Sequence, residues 1–132
     1  MSSFLSELRL EMVTCNSLNI PLKNREGRQI WMVMAPFTYQ SDVLGREITV
    51  PDGFLTDLAS IPRVPFFYRE LEQLADLPGV VHDYIYSCGC ASRDQADLLL
   101  KEACLLIGLS AWKAWAIYYG VRVGGGSHFL AK

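Results

Sequence analysis

Pro78-Gly79-Val80-Val81-His82-Asp83-Tyr84-Ile85-Tyr86 sets a histidine and an aspartate side by side inside an otherwise apolar run, and no other stretch concentrates as much chemistry. Downstream, Ser92-Arg93-Asp94-Gln95-Ala96-Asp97 opens a second helix, with Ser92 as N-cap and Gln95 as its capping-box partner. Ser87 to Ala91 then form a short turn. If the two helices run antiparallel about that turn, residues equidistant from its centre, between Gly89 and Cys90, share a height. His82 is then level with Asp97, and Tyr86 with Arg93. A carboxylate opposite an imidazole fixes the tautomer and raises basicity, as a general base requires. A slip of one helical turn, about 5.4 Å, would part the pair.

The chain has 132 residues, of which 51% are hydrophobic, enough for a real core in a single domain over 1–132. Residues 1–62 read as sheet and connector, and 63–132 as the helical part. A net charge of −2 offers no basic field, so nucleic acid is not expected as a partner. The first residues, Met1 to Arg9, lack a basic segment followed by an apolar one, so no secretion signal is read and synthesis in a cytoplasm is expected. There the four cysteines, Cys15, Cys88, Cys90 and Cys104, would stay reduced. A zinc site from His82, Cys88 and Cys90 has tighter spacing than the usual structural zinc pairs.

The first third reads as strands. Leu8, Leu10 and Met12 alternate with Arg9, Glu11 and Val13, and Ile30 to Met34 is bounded by Gly27 and Pro36. Phe37-Thr38-Tyr39 reads as a third strand and Arg46 to Val50 as a fourth, closed by Pro51. One small antiparallel sheet is expected, burying one face. Pro51 to Pro62 has neither helical nor strand period and reads as an ordered connector. Its polar members Thr56, Asp57 and Ser60 either cap backbone amides in a turn or bring Asp57 to the His82 site.

Residues 65–75 read as a short helix with Phe66, Phe67 and Leu71 inward, although Phe66-Phe67-Tyr68 would also suit an exposed aromatic patch. Pro78 fits the first turn of the His82 helix. From Arg93 to about Ile107 a broad apolar face holds Ala96, Leu99, Leu100, Ala103, Cys104 and Ile107, with Asp97 at its border, where a carboxylate needs a partner. Gly108 ends this helix and Ser110 starts another. Ala111 to Arg122 is apolar almost all round and far shorter than the about 20 residues that span a bilayer. A core helix is the default, and an interfacial helix the alternative, given two tryptophans and two tyrosines. Gly124-Gly125-Gly126 ends regular structure, and His128 reads as a surface residue. There is no internal repeat, heptad, phosphate-binding glycine loop or G-x-S-x-G elbow.

The candidate constellation is Asp57, Asp83 and Asp97 with His82, Tyr84 and Tyr86. On a helix, His82 and Asp83 point about 100° apart and serve neighbouring roles. Asp97 would orient His82, His82 would take a proton from water, and Asp83 would hold a hard cation that polarises the carbonyl under attack. Tyr86 would pin a carboxylate through its hydroxyl, and Arg93 would neutralise Asp97 or Asp83. The competing structural reading makes these residues a satisfied polar seam between helices, with Arg93 and Asp97 fixing registry. The catalytic reading requires His82 to open onto a cleft and touch a carboxylate.

Two resemblances bear on the choice. Val50-Pro51-x-Gly53-Phe54-x-Thr56-Asp57-Leu58-Ala59-Ser60-Ile61-Pro62, Val81-His82-Asp83-Tyr84-x-Tyr86, Arg93-x-x-Ala96-Asp97 and Tyr119-x-Val121-Arg122-x-Gly124-Gly125 together resemble an uncharacterised family of tailed-phage and prophage proteins, a domain of unknown function. That resemblance implies a phage or prophage origin and highlights Asp57, His82, Asp83, Arg93 and Asp97, without an activity. Locally, His82-Asp83-x-x-Tyr86 followed by Ala96-Asp97 is similar to the helix pair of calcium-dependent secreted phospholipases. It implies a general base at His82, a calcium ligand at Asp83 and an orienting residue at Asp97. The glycine-rich calcium loop of those enzymes is missing upstream, Ile85 stands where many secreted members have cysteine, and no flanking disulfides are evident.

The expectation is an α+β fold, a small N-terminal antiparallel sheet beside three or four packed helices. Its functional counterpart is a phage-encoded hydrolase, an esterase on lipid or cell-envelope material, whose site uses His82, Asp97, Asp57 and Tyr86, with Asp83 for a divalent cation, calcium or zinc. Arg93, Thr56 and Ser60 would be structural or orienting. The alternatives are a virion component such as a tail-tip or tail-assembly protein, and a host-directed inhibitor. Tail or other virion proteins and the membrane or envelope are the partners those readings imply.

Overall fold

The computed structural model describes residues 2–13, 29–57 and 76–124. Among the described residues the fold is α+β, with β-strands on the N-terminal side followed by three helices. The strands are β1 (Ser3–Phe4), β2 (Leu10–Val13), β3 (Ile30–Val33), β4 (Phe37–Ser41), β5 (Arg46–Val50) and β6 (Leu55–Thr56). The helices are α1 (Asp76–Cys88), α2 (Arg93–Leu106) and α3 (Ala111–Gly124). The expected helix over 65–75, Ser60 and His128 lie outside the described residues.

The strands build two antiparallel sheets where one was expected, in the orders β1-β4-β5 and β2-β3-β6. The break lies at Met34-Ala35-Pro36. Met34 N still donates to Arg9 O at 2.8 Å, but Pro36 has no amide proton to extend a ladder, and the chain leaves β3 to begin β4. In β4, Phe37, Tyr39 and Ser41 all point inward, the period of two that a half-buried strand requires. Across from them, Val50 pairs with Phe37 and Ile48 with Tyr39.

The connector is also partly strand. Pro51 to Phe54 form a turn in which Gly53 takes φ 84°, a conformation that favours glycine. That reversal sends Leu55 and Thr56 back along β3, opposite Met32 and Trp31. Sequence period missed β6 because two residues are too few to show alternation. Met12 also departs from the expected inward face and is exposed.

α2 is the wall between two cores. On one side Ala96, Leu99 and Ala103 join Val80, Val81, Ile85 and Tyr86 of α1 and the inward residues of the strands. On the other side Leu100 and Cys104 meet Leu109, Ala114, Ile117 and Val121. α1 packs against β5 and β6 as well as α2, so it is buried almost all round, whereas α3 packs on α2 and keeps one side in solvent. The α2–α3 link is fixed by Gly108 at φ 106°, with Gly108 N bonded to Leu105 O at 3.1 Å and Leu109 N to Cys104 O at 3.0 Å. This is the paired bonding of a glycine-terminated helix.

Candidate active site

The capping box forms at the start of α2, Gln95 N donating to Ser92 Oγ at 3.1 Å and Ser92 N to Gln95 Oε1 at 3.3 Å. At the end of α1, Gly89 turns the chain at φ 66° and bonds its N–H to Ile85 O at 3.0 Å. These two devices set the registry of the helix pair. His82 and Tyr86, one turn apart on α1, share a face with ring centroids 4.2 Å apart. Both reach Asp97 on α2.

Asp97 Oδ1 accepts from His82 Nε2 at 2.8 Å and from the Tyr86 hydroxyl at 2.5 Å. Its Oδ2 accepts from Arg122 Nη1 at 3.0 Å and lies 4.0 Å from Arg93 Nε. Arg93 Nε also donates to the Tyr86 hydroxyl at 3.3 Å, and its Nη2 donates to Val121 O and Arg122 O, at 2.9 and 2.6 Å. One guanidinium therefore ties the helix pair to the last turn of α3. Because Asp97 borders both cores, it collects donors from all three helices.

Burial opposes charge on Asp97, but the hydrogen bonds from His82, Tyr86 and Arg122 outweigh it and hold the carboxyl below its ordinary value of 3.8. Burial first, and then the bond to Asp97, push the Tyr86 phenol upward, so it stays a donor. An ionised carboxylate only accepts, so the proton between Asp97 and His82 resides on Nε2. Among the described residues Nδ1 of His82 is buried and has no hydrogen-bond partner. The geometry therefore accommodates an imidazole with Nε2–H engaged and a lone pair at Nδ1.

The expected cleft over His82 is not there: its side chain is 1% exposed and that of Asp97 0%. α1 is sandwiched between strands and α2, which covers the face that carries the ring. Asp83, also buried, is turned about 100° from His82 around α1. Thr56 is buried on β6, which packs against α1, and Asp57 follows it half-buried. Tyr84 faces Phe54, edge to face at 5.3 Å, away from the Asp97 network.

Sequence reasoning missed Arg122 as the second cation on Asp97. Its signal was a basic residue in the last turn of a helix otherwise without charge at that end. Missed too was the tie through Glu102, whose Oε1 accepts from the Tyr39 hydroxyl at 2.8 Å and Ser41 Oγ at 2.9 Å, and whose Oε2 accepts from Val43 N at 3.0 Å.

No group of three His, Cys, Asp or Glu among the described residues is arranged to hold an ion. The side chains of Cys88 and Cys90 face each other across Gly89, their Cα atoms 5.3 Å apart. Cys104 is free and buried, and burial pushes its thiol up to about 12.

Neither a curated protein nor a solved structure matches the chain. Residues 31–121 match a family model, a stretch that takes in β3 through most of α3 and holds His82, Asp83, Tyr86, Arg93 and Asp97. The chain therefore belongs to the family described as Protein of unknown function (DUF1353).

Proposed function

We propose that this protein is a hydrolase of phage or prophage origin that cleaves esters of lipid or cell-envelope material, with His82 as general base and Asp97 as the residue that orients it. The observation that carries this reading is the asymmetry of the imidazole: Nε2 is bonded to a buried carboxylate, while Nδ1 has no partner among the described residues.

In the proposed reaction Nδ1 takes a proton from water as its oxygen attacks the ester carbonyl carbon. Asp97, itself braced by Tyr86 and Arg122, stabilises the imidazolium. The proton then passes to the leaving alkoxide as the ester C–O bond breaks, yielding acid and alcohol. The ring is 1% exposed, which counts against the open cleft the hydrolase reading requires, so that reading holds only if the packing over Nδ1 opens to admit water and ester. The likeness of His82-Asp83-x-x-Tyr86 and Asp97 to the phospholipase helix pair supports the roles of general base for His82 and orienting residue for Asp97.

Burial favours a second reading, in which the same network fixes helix registry in a non-enzymatic virion component such as a tail-tip or tail-assembly protein. Purified chain and His82→Ala are compared on phospholipid vesicles and on short-chain aryl esters, with thermal melts of both. The hydrolase reading expects turnover that His82→Ala removes while the melting temperature falls by no more than a few degrees. Absence of turnover on both ester classes, with a large drop in melting temperature for His82→Ala, supports the structural reading instead.

A further inference from the structure

α3 has two apolar faces. Ala114, Ile117 and Val121 are buried on α2, whereas Trp112, Trp115, Tyr119 and Val123 are 59%, 42%, 60% and 89% exposed. At about 100° per residue these four positions fall on one stripe, opposite the buried three. Within it Trp115 stacks on Tyr119 at 5.8 Å and meets Tyr118 edge-on at 5.5 Å, so the rings are already ordered. The default expectation of a core helix is thus half right: small residues pack and large aromatics face water.

Two lysines stand against the rings of this stripe. α3 contains Lys113 and Arg122 and no acidic residue, in a chain whose net charge is −2. The Lys101 ammonium from α2 sits 3.9 Å from the centre of the Trp115 ring, and that of Lys113 lies 5.7 Å from Trp112. Glu102, next to Lys101, is turned to β4, and Asp94 is matched by Arg122 at 3.8 Å and by the Tyr118 hydroxyl.

We propose that this face docks on an anionic phospholipid surface, the aromatic stripe lying at the acyl-headgroup boundary and Lys101 and Lys113 at the level of the phosphates. Indole and phenol rings combine an apolar body with a polar edge, which suits that boundary. At about 21 Å for 14 residues, α3 lies in the plane of the interface. No helix among the described residues is long and apolar enough to cross a membrane. A second copy fits less well, because a two-fold contact would bring each lysine-bordered face against its like. The inference does not depend on the chemistry assigned to His82.

The full chain is sedimented with sucrose-loaded vesicles of phosphatidylglycerol or of phosphatidylcholine while tryptophan emission is recorded. Binding to phosphatidylglycerol with a blue shift, and weaker binding to phosphatidylcholine, is expected. Trp112→Ser/Trp115→Ser should lower the partition coefficient more than about tenfold. Lys113→Glu should reduce the preference for the anionic lipid. The melting temperatures of both variants are measured alongside; that of the double variant, at exposed positions, should stay close to that of the parent chain. The proposal is overturned if the parent chain does not pellet with phosphatidylglycerol or if the folded double variant pellets equally well. It is also overturned if sedimentation equilibrium without lipid shows a dimer that the double variant dissolves.

Discussion

Asp97 and Glu102 are two carboxylates on one helix with opposite surroundings. Glu102 faces the strands and accepts only neutral donors, the Tyr39 and Ser41 hydroxyls and the Val43 amide. Asp97 faces the helices and draws an imidazole, a phenol and two guanidinium groups. The first is a tie between α2 and β4, complete in itself. The second shares Arg122 with Asp94 and, among the described residues, leaves Nδ1 of its histidine without a hydrogen-bond partner. Equal residue chemistry thus gives a structural joint in one place and a candidate reaction centre in the other.

That contrast breaks most visibly if Asp97 is removed. Asp97→Ala strands Arg122 and His82 beside a buried cavity and should cost about 3–5 kcal/mol in urea unfolding. A smaller loss than that of Glu102→Ala would invert the ranking. Glu102→Ala leaves the fully buried Tyr39 hydroxyl without its acceptor, for an expected loss of about 1–3 kcal/mol. Tyr86→Phe deletes one of several donors to Asp97 and should cost about 1 kcal/mol, while lowering any His82-dependent turnover. The smallest effect is on acid sensitivity. Asp97 has a folded-state pKa below 3.8, so its contribution is present above that pH and is lost as the pH falls through the folded value. The melting temperature of the parent chain should therefore decline more steeply below pH 3.8 than that of Asp97→Asn.

The contacts between α1 and α2 were legible because they depend on local counting. Ser92 and Gln95 mark where one helix starts, Gly89 marks the turn, and equal distances from it put His82 opposite Asp97. The strands at Ile30, Phe37 and Arg46 were legible from alternation and bounding prolines. What the residues did not show depends on distant chain segments. Arg122 reaches Asp97 from a third helix, and Glu102 looks like a solvated helix residue until β4 supplies Tyr39 and Ser41. The division into two sheets follows from partner choice at Met34 to Pro36, which alternation does not encode. In α3, the large aromatics read as core, yet the narrow gap against α2 admits Ala114, Ile117 and Val121 and turns the indoles outward.

The central claim is the protonation pattern of one ring, and nitrogen-15 NMR of the histidine side chains reads it directly. The neutral form of His82 is expected to carry its proton on Nε2, with a downfield Nε2–H resonance that Asp97→Asn shifts, and a Nδ1 shift typical of a bare lone pair. A proton found on Nδ1, or an Nε2 signal indifferent to residue 97, would contradict it.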